Sequence, residues 1–245
     1  MAVLLAAGEG RRLGGRKPLA RLRGRPLAWY PVSVLHLLGV TEFVIVTRGE
    51  LASELRGLVE MVAGAGSAVV VVNREPWREN GYSLLLGLRE ADGEAVLVSM
   101  SDHVYSPRLA ARVAATAYPW ALYVTGCDAS PCCVDTDEAT KVLAAGPVEV
   151  AHGKGLPRWT CIDTGVHLAR SGPLLLEAAR LTCRLNEGVL GLNSLLDTLA
   201  RLGMASTSRV DGLPWLEVDT PGDLEEAESG RNRWVVDHVL EWLQG

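Results

Sequence analysis

The sequence lacks long apolar runs and has few aromatic residues. Its 245 residues include one phenylalanine, and aromatic residues make up 5% of the chain. No apolar stretch approaches the roughly 18 residues that a membrane-spanning helix needs, so we expect no membrane insertion. The apolar residues 2–7 have no basic leader before them, unlike a signal peptide, and we expect a buried strand in a cytoplasmic protein. Leucine, valine, alanine and arginine are abundant, as in proteins of thermophiles.

Net positive charge is also absent. The chain has 24 lysine and arginine residues against 29 aspartate and glutamate residues, a formal net charge of −5. Proteins that coat nucleic acids are normally basic, so we expect no nucleic-acid partner. A nucleotide stays compatible with this balance, because a few local positive charges can meet its phosphates.

Cysteine and histidine show no metal-binding pattern. The cysteines are Cys127, Cys132, Cys133, Cys161 and Cys183, and none has CxxC spacing. We interpret them as free, mostly buried thiols. The alternative is a structural disulfide, which intracellular proteins of hyperthermophiles can contain. The five histidines are scattered, so the sequence does not indicate a zinc site.

Short apolar runs alternate with longer amphipathic segments in the first half. The runs at 2–6, 43–47, 68–72 and 95–100 predict strands that are covered on both faces. Helical spacing predicts helices at 26–38, 51–63, 82–91 and 107–117. This alternation predicts an α/β protein with a mostly parallel, doubly wound sheet.

The second half has a different rhythm. Strands are predicted at 120–125, 139–144, 148–151, 160–168 and 215–218, and helices at 172–180, 189–202, 221–228 and 232–243. No repeat, low-complexity tract or linker separates the two halves. We therefore expect a single domain over 1–245, with halves that meet near residue 118.

A loop rich in glycine and basic residues follows the first predicted strand. It contains Gly8, Gly10, Arg11, Arg12, Gly14, Gly15, Arg16 and Lys17. Glycines bring backbone N–H groups close to an anion, and clustered cations suit a triphosphate. The loop matches neither the dinucleotide fingerprint, because Leu13 replaces the third glycine, nor the P-loop, because Pro18 replaces Ser or Thr. Pro18 also favours an extended Lys17, which we expect to project from an irregular loop toward a ligand.

Two distant aspartates each follow a predicted strand. Asp102 comes after the strand at 95–100, and Asp219 after the strand at 215–218. Because sites in parallel sheets form at the carboxyl ends of strands, we expect both side chains to converge. Two carboxylates, with phosphate oxygens and water, would suit Mg²⁺. The alternative for Asp219 is a helix cap, since a threonine and a proline follow it.

The motif LAAGxGxRL at 5–13, followed by KPL at 17–19, resembles the signature loop of sugar-phosphate nucleotidyltransferases. The later segments ENGYSLL, SDHVYS, DEATKV, CIDTGVHL and WLEVDT together resemble the archaeal CTP:inositol-1-phosphate cytidylyltransferases, over residues 3 to about 227. This resemblance implies a Rossmann-like nucleotidyltransferase fold, with a central, mostly parallel mixed sheet flanked by helices. It also implies transfer of a cytidylyl group from CTP to inositol 1-phosphate with Mg²⁺, giving CDP-inositol and pyrophosphate for di-myo-inositol phosphate synthesis.

The same resemblance implies a role for individual residues. Residues about 1–118 would bind the nucleotide through Leu5, Ala6, Ala7, Gly8, Gly10, Arg11, Lys17, Asn80, Gly81, Ser83 and Asp102. Residues about 119–245 would bind the acceptor through Glu138, Lys141, Lys154, Asp163, Thr164 and Gly165. The catalytic residues would be Arg11, Lys17, Asp102 and Asp219, with both aspartates as metal ligands. Arg12 replaces a commoner small polar residue, so which loop arginine reaches the phosphates stays open.

The expected partners are small molecules and a second enzyme. Some archaeal relatives resemble the soluble half of a fusion to a membrane-embedded phosphotransferase, whereas this sequence ends at Gly245 after an amphipathic segment. We therefore expect a separate membrane synthase that uses CDP-inositol, and a terminal helix that packs internally or in a homodimer.

Two alternative functions remain open. One is the same chemistry on a sugar 1-phosphate, phosphocholine or molybdopterin-type acceptor. The other is a non-catalytic nucleotide-binding module, against which the intact Lys17, Asp102 and Asp219 argue.

Overall fold

The computed structural model describes residues 1–91, 95–116 and 118–244. Elements are numbered in chain order. Among these residues, no helix combines the length and the apolar character that crossing a membrane requires.

The first half forms a parallel sheet that helices cover, although the edge strand at 68–72, predicted to be covered on both faces, is partly exposed. Its strands are β1 (Ala2–Ala6), β4 (Phe43–Thr47), β5 (Ala68–Val72) and β6 (Val96–Met100), and its helices are α1 (Trp29–Leu37), α2 (Ala52–Ala63) and α3 (Glu79–Glu90). The strands lie parallel in the order β5-β4-β1-β6. Every residue of β1 is buried, because Leu4 packs on the α1 side and Leu5 on the α3 side.

The order of strands reverses between β1 and β6. From β1 the chain proceeds outward through β4 to β5, and it then returns to form β6 on the other side of β1. In open α/β sheets, ligands bind at the carboxyl ends of strands beside such a reversal. The loop after β1 and the turn after β6 therefore border a crevice.

The second half adds a mixed sheet to this parallel part. Its strands are β8 (Tyr123–Asp128), β9 (Lys141–Ala145), β10 (Val148–Gly153), β11 (Cys161–Ala169) and β12 (Ala205–Arg209). They continue the sheet in the order β6-β11-β8-β12-β10-β9, with β8 and β12 parallel and the other neighbours antiparallel. The remaining helices are α4 (Pro107–Ala114), α5 (Pro173–Leu185), α6 (Leu192–Arg201), α7 (Pro221–Glu228) and α8 (Arg233–Gln244). This mixed sheet between helices confirms the predicted fold class.

Two short antiparallel pairs lie outside the main sheet. One joins β2 (Arg21–Leu22) to β3 (Arg25–Pro26), and the other joins β7 (His103–Tyr105) to β13 (Trp215–Glu217). The first pair explains why α1 begins at Trp29 rather than at residue 26.

Other boundaries differ because polar strands lack an apolar signature. The strand β8 ends at Asp128 rather than at residue 125, and β12 was not predicted at all, since Ser206, Thr207 and Ser208 fill its centre. Both strands are nevertheless buried between neighbours. The predicted end of the fourth helix, Ala117, lies outside the described residues.

The prediction of five free thiols is wrong for two cysteines. Cys127 on β8 and Cys161 on β11 form a disulfide, with their Cα atoms 5.5 Å apart. The two strands are direct neighbours, although the cysteines are 34 residues apart in sequence. Cys132, Cys133 and Cys183 are free, and Cys132 is exposed.

Candidate active site

Lys17 lies between the two predicted catalytic aspartates. Its Nζ is 2.5 Å from Asp102 Oδ2 and also pairs with Asp219 Oδ1. Burial alone would lower the pKa of Lys17, but attraction to both carboxylates raises it above its usual value. Burial would likewise raise the pKa of Asp102, but the Lys17 ammonium and His103 hold it far below its usual range. Lys17 and Asp102 are therefore both charged at neutral pH.

A glycine contact positions Lys17. Residues Lys17–Leu19 form a short 3₁₀ turn instead of the predicted irregular loop, yet Lys17 still reaches the crevice. Gly10 has φ +56°, and a Cβ at this position would lie 2.7 Å from Lys17 Cβ. Glycine permits both the left-handed backbone and this close approach.

The pairing of β7 with β13 brings Asp219 to Asp102. In this pair, His103 lies opposite Glu217, and the N–H of Val218 donates to the carbonyl of Asp102 over 3.1 Å. The predicted reason for the convergence, two strand ends of one parallel sheet, is wrong for Asp219, because β13 lies outside the main sheet.

The N-cap of α7 is Thr220, the residue after Asp219, so the alternative role of Asp219 as a helix cap is wrong. Thr220 caps α7 by accepting from the N–H of Asp223, whose carboxylate accepts from the N–H of Thr220 in return. Asp219 Oδ1 is thereby left to pair with Lys17.

A cavity of about 380 Å³ opens beside Lys17. Most residues predicted to bind the nucleotide line it, namely Leu5, Ala6, Ala7, Gly8, Gly10, Arg11, Lys17, Asn80, Ser83 and Asp102. Gly81 is not among the lining residues, because it is buried against the turn before α6, where a Cβ would lie 2.6 Å from the carbonyl oxygen of Leu190. The side-chain oxygen of Asn80 accepts from the N–H of Leu192 over 2.8 Å, which fixes Asn80 at the cavity wall.

Three arginines of the loop form ion pairs. Arg11 lies 2.8 Å from Glu9, Arg12 lies 3.6 Å from Glu138, and Arg16 lies 2.5 Å from Glu54. Arg11 and Arg12 line the cavity beside Lys17, whereas Arg16 is not one of its lining residues. Such exposed pairs stabilise little, so a bound anion can readily recruit the first two arginines.

A second cavity, of about 560 Å³, adjoins the first and shares Arg12 and Asp219 with it. Its other charged lining residues are Asp135, Glu138, Glu217, Asp223, Glu226 and Arg231. Carboxylates accept hydrogen bonds from hydroxyl groups, so this cavity suits a ligand that carries many hydroxyls. Glu138 is the predicted acceptor residue that lines it.

Three other predicted acceptor residues lie outside both cavity linings. Thr164 is buried, and its hydroxyl donates to the carbonyl of Gly126 over 3.0 Å. Lys141 Nζ donates to the backbone carbonyls of Asp137 and Lys154. Lys154 is exposed.

Asp163 belongs to a buried cluster of ionisable groups. Its two oxygens lie 3.4 Å from His152 Nε2 and 3.6 Å from His167 Nε2, and Glu149 accepts from His152 Nδ1 over 2.8 Å. Burial alone would lower the pKa of His152, but Asp163 and Glu149 raise it to about 10. Burial would raise the pKa of Asp163, but the histidines lower it to about 2. Sequence reasoning treated these histidines as scattered, because only the fold of β10 and β11 brings them together.

His103 and Glu217, which lie beside Asp102, were not predicted as site residues from the sequence. His103 is buried, and its Nδ1 lies 2.8 Å from Asp102 Oδ1. Burial would lower the pKa of His103, but Glu217 and Asp102 raise it to about 9. Burial raises the pKa of Glu217 to about 6. The available signal was the position of His103, next to a predicted metal ligand.

The chain is similar to known nucleotidyltransferases over most of its length. Residues 2–158 match the model of the MobA-like NTP transferase domain. A protein of Thermococcus kodakarensis named bifunctional IPC transferase and DIPP synthase is 35% identical over 232 residues, which are 92% of this chain and 49% of the relative. A protein of the same name from Rubrobacter xylanophilus is 34% identical over 242 residues, which are 96% of this chain and 52% of the relative. The chain thus spans about half the length of the curated relatives it matches.

A solved structure also covers nearly the whole chain. The inositol-1-phosphate CTP transferase from T. maritima is 25% identical and superposes with a TM-score of 0.80, over 98% of this chain and 96% of that one. The match to the family model includes the basic loop, Lys17 and Asp102. This chain belongs to the family of MobA-like NTP transferase domains.

Proposed function

We propose that the chain transfers a cytidylyl group from CTP to inositol 1-phosphate, giving CDP-inositol and pyrophosphate. The observation that carries this proposal is the position of Lys17 in the smaller cavity, between Asp102 and Asp219. Asp219 also lines the adjoining acidic cavity. The choice of substrates is supported by the inositol-1-phosphate CTP transferase, whose structure superposes over nearly the whole chain.

In this proposal, CTP occupies the cavity beside Lys17. The backbone at residues 5–10 approaches the base and phosphates, since Gly8 and Gly10 place no side chain between the backbone and the cavity. Lys17 and Arg11 balance the charge of the triphosphate and of the leaving pyrophosphate. Asn80 and Ser83 lie on the same cavity wall and are available to the nucleotide.

Inositol 1-phosphate occupies the acidic cavity. Glu138 and its neighbouring carboxylates accept hydrogen bonds from the inositol hydroxyls, and Arg12 attracts the phosphate. Because both cavities share Arg12 and Asp219, the acceptor phosphate meets the nucleotide where the cavities join. Direct acceptor contacts by Lys141, Lys154, Asp163, Thr164 and Gly165 stay predictions of the sequence.

Asp102 and Asp219 would also hold a divalent cation, for which we propose Mg²⁺. The two carboxylates converge on one positive charge, the Lys17 ammonium, and this convergence supports the proposal of a shared cation. Oxygen ligands from one or two carboxylates and from phosphates are the set that Mg²⁺ prefers. When bound, the ion would neutralise phosphate charge.

The reaction needs no nucleophile from the protein. An oxygen of the inositol phosphate attacks the α-phosphorus of CTP, a new P–O bond forms, and the bond to the pyrophosphate oxygen breaks on the opposite side. The chain contributes orientation and fixed positive charge.

The test is incubation with CTP, Mg²⁺ and inositol 1-phosphate, followed by detection of CDP-inositol by mass spectrometry. We expect CDP-inositol, and we expect chelation of the metal to stop its formation. UTP, GTP and ATP, and glucose 1-phosphate and phosphocholine as acceptors, form the control panel. If a product forms only with another acceptor, the proposed acceptor is wrong. If the chain binds a nucleotide but forms no product with any acceptor, it is a nucleotide-binding module and not an enzyme.

The wider cellular role also stays a prediction. It comprises a cytoplasmic location, a membrane synthase that uses CDP-inositol, and assembly into a homodimer.

A further inference from the structure

The imidazole of His103 holds one oxygen of Asp102. Its Nδ1 lies 2.8 Å from Asp102 Oδ1, while Asp102 Oδ2 lies 2.5 Å from Lys17 Nζ. The carboxylate accepts this hydrogen bond, so Nδ1 carries the proton and donates it. Asp102 is therefore fixed through one oxygen and presents the other to the crevice.

Two neighbours fix the ring of His103 in turn. The ring of Trp215 lies parallel to it, with an interplanar angle of 5° and centroids 6.1 Å apart. Gly165 makes a second contact, since a Cβ there would lie 2.6 Å from both Cδ2 and Nε2 of His103. The side chain of His103 is only 6% exposed, so the ring has little freedom to turn.

Each of these neighbours is itself anchored. The indole N–H of Trp215 donates to Oδ2 of the buried Asp128 over 2.8 Å. Gly165 has φ +70° and lies where β11 shifts its register with β8. Its N–H donates to Asp163 Oδ1 over 2.8 Å. The lack of a Cβ at Gly165 thus makes room for the imidazole.

We propose that His103 is a positioning residue that fixes the rotamer of Asp102, and that Trp215 and Gly165 hold His103 for this role. Without the Nδ1 donor, the carboxylate of Asp102 is free to turn both oxygens toward Lys17. It then no longer presents a single oriented oxygen to the nucleotide and its cation. The kinetic consequence rests on the proposed function, whereas the hydrogen bond itself does not.

A pair of variants separates the hydrogen bond from the bulk of the ring. His103→Leu removes the donor, and His103→Asn places an amide N–H close to the position of Nδ1. We expect His103→Leu to lower kcat by about 10–100-fold with little change in KM for inositol 1-phosphate, as is typical when a partner that orients a metal ligand is lost. We expect His103→Asn to restore most of that loss. Equal losses in both variants, or no loss in His103→Leu, would overturn the proposal.

Proton NMR tests the hydrogen bond without any substrate. We expect a low-field imidazole N–H resonance that is absent in His103→Leu and shifted in Asp102→Asn. Gly165→Ala should displace the ring and weaken this resonance, and in the His103→Leu background it should add little further loss of kcat. Absence of the resonance from the folded wild type would overturn the positioning role. If the resonance is present but no CDP-inositol forms, only the proposed function fails.

Discussion

At the scale of single residues, the site is organised by a lysine that contacts two carboxylates. The Lys17 side chain is 13% exposed, and that of Asp102 is 15% exposed, so their attraction is only partly screened by water. Removing Lys17 or one of the aspartates would leave the remaining charge unpaired at a poorly solvated site. The Lys17 ammonium is thus already positioned before a triphosphate binds.

The aspartates give the first prediction. Asp102→Ala should lower turnover at least about 100-fold, because it removes a ligand of the cation that would stabilise the charge of the transition state. Asp219→Ala should act in the same direction. Initial rates of pyrophosphate release measure both effects, and Asp137→Ala, at an exposed aspartate outside the cavity lining, is the matched control. Unchanged turnover in the Asp102→Ala/Asp219→Ala double variant would show that the metal assignment is wrong.

The loop gives the second prediction, from two glycines with similar backbone strain. Gly10 and Gly14 have φ +56° and φ +70°, but only at Gly10 would a Cβ meet another residue, at 2.7 Å from Lys17. Gly10→Ala should therefore displace Lys17 and lower kcat about 10-fold or more. Gly14→Ala should destabilise the fold by about 1–2 kcal/mol, the cost of a left-handed backbone for a residue with a Cβ, and spare kcat. Equal kcat values for the two variants would contradict the proposed contact.

At the scale of elements, the sequence predicted strands that are apolar and missed those that are polar. The strands β1, β4 and β6 were recognisable because helices cover both of their faces, which requires continuous apolar residues. The strands β7 and β12 are short or rich in hydroxyl groups, and pairing partners stabilise them rather than their own composition. The pairing of Asp102 and Asp219 with the same lysine depends on β7, so the sequence predicted that the aspartates converge but not the cause.

The disulfide between β8 and β11 gives the third prediction. It links residues 34 apart, so it should stabilise the fold mainly by restricting the unfolded chain. Cys127→Ser/Cys161→Ser should lower the free energy of unfolding by about 2–4 kcal/mol. Guanidinium denaturation with and without reductant measures this, and Cys132→Ser, at the exposed free cysteine, is the control. A wild type that does not respond to reductant would contradict it.

The cluster of ionisable groups on β10 and β11 gives the fourth prediction. Folding raises the pKa of His152 from 6.5 to about 10, so the folded state binds this proton more tightly. The resulting stabilisation is complete below pH 6.5 and is lost as the pH rises toward 10. His152→Gln should therefore destabilise the protein by roughly 1–3 kcal/mol more at pH 6 than at pH 9.5.

Denaturant titrations at both pH values give the required free energies of unfolding. His238→Gln, on α8, is the control for loss of a histidine outside the cluster. A destabilisation by His152→Gln that does not change with pH would show that His152 is uncharged in the folded protein.

At the scale of the whole molecule, the parallel half and the mixed half each contribute to one of two adjoining cavities. The parallel half supplies the basic loop and Asp102, and the mixed half with its helical end supplies the acidic cavity. The motif of the loop made the first cavity predictable from sequence. The second cavity was not predictable, because its walls come from residues 132–139, from β13 and from the region around α7, which only the fold brings together.

The most direct test of this account is a crystal structure of the chain with CTP and Mg²⁺. We predict that the triphosphate lies in the cavity beside Lys17, with its α-phosphate near Lys17 and a metal ion bound by Asp102 and Asp219. A nucleotide bound elsewhere, or a triphosphate that Lys17 and both aspartates do not approach, would contradict the account.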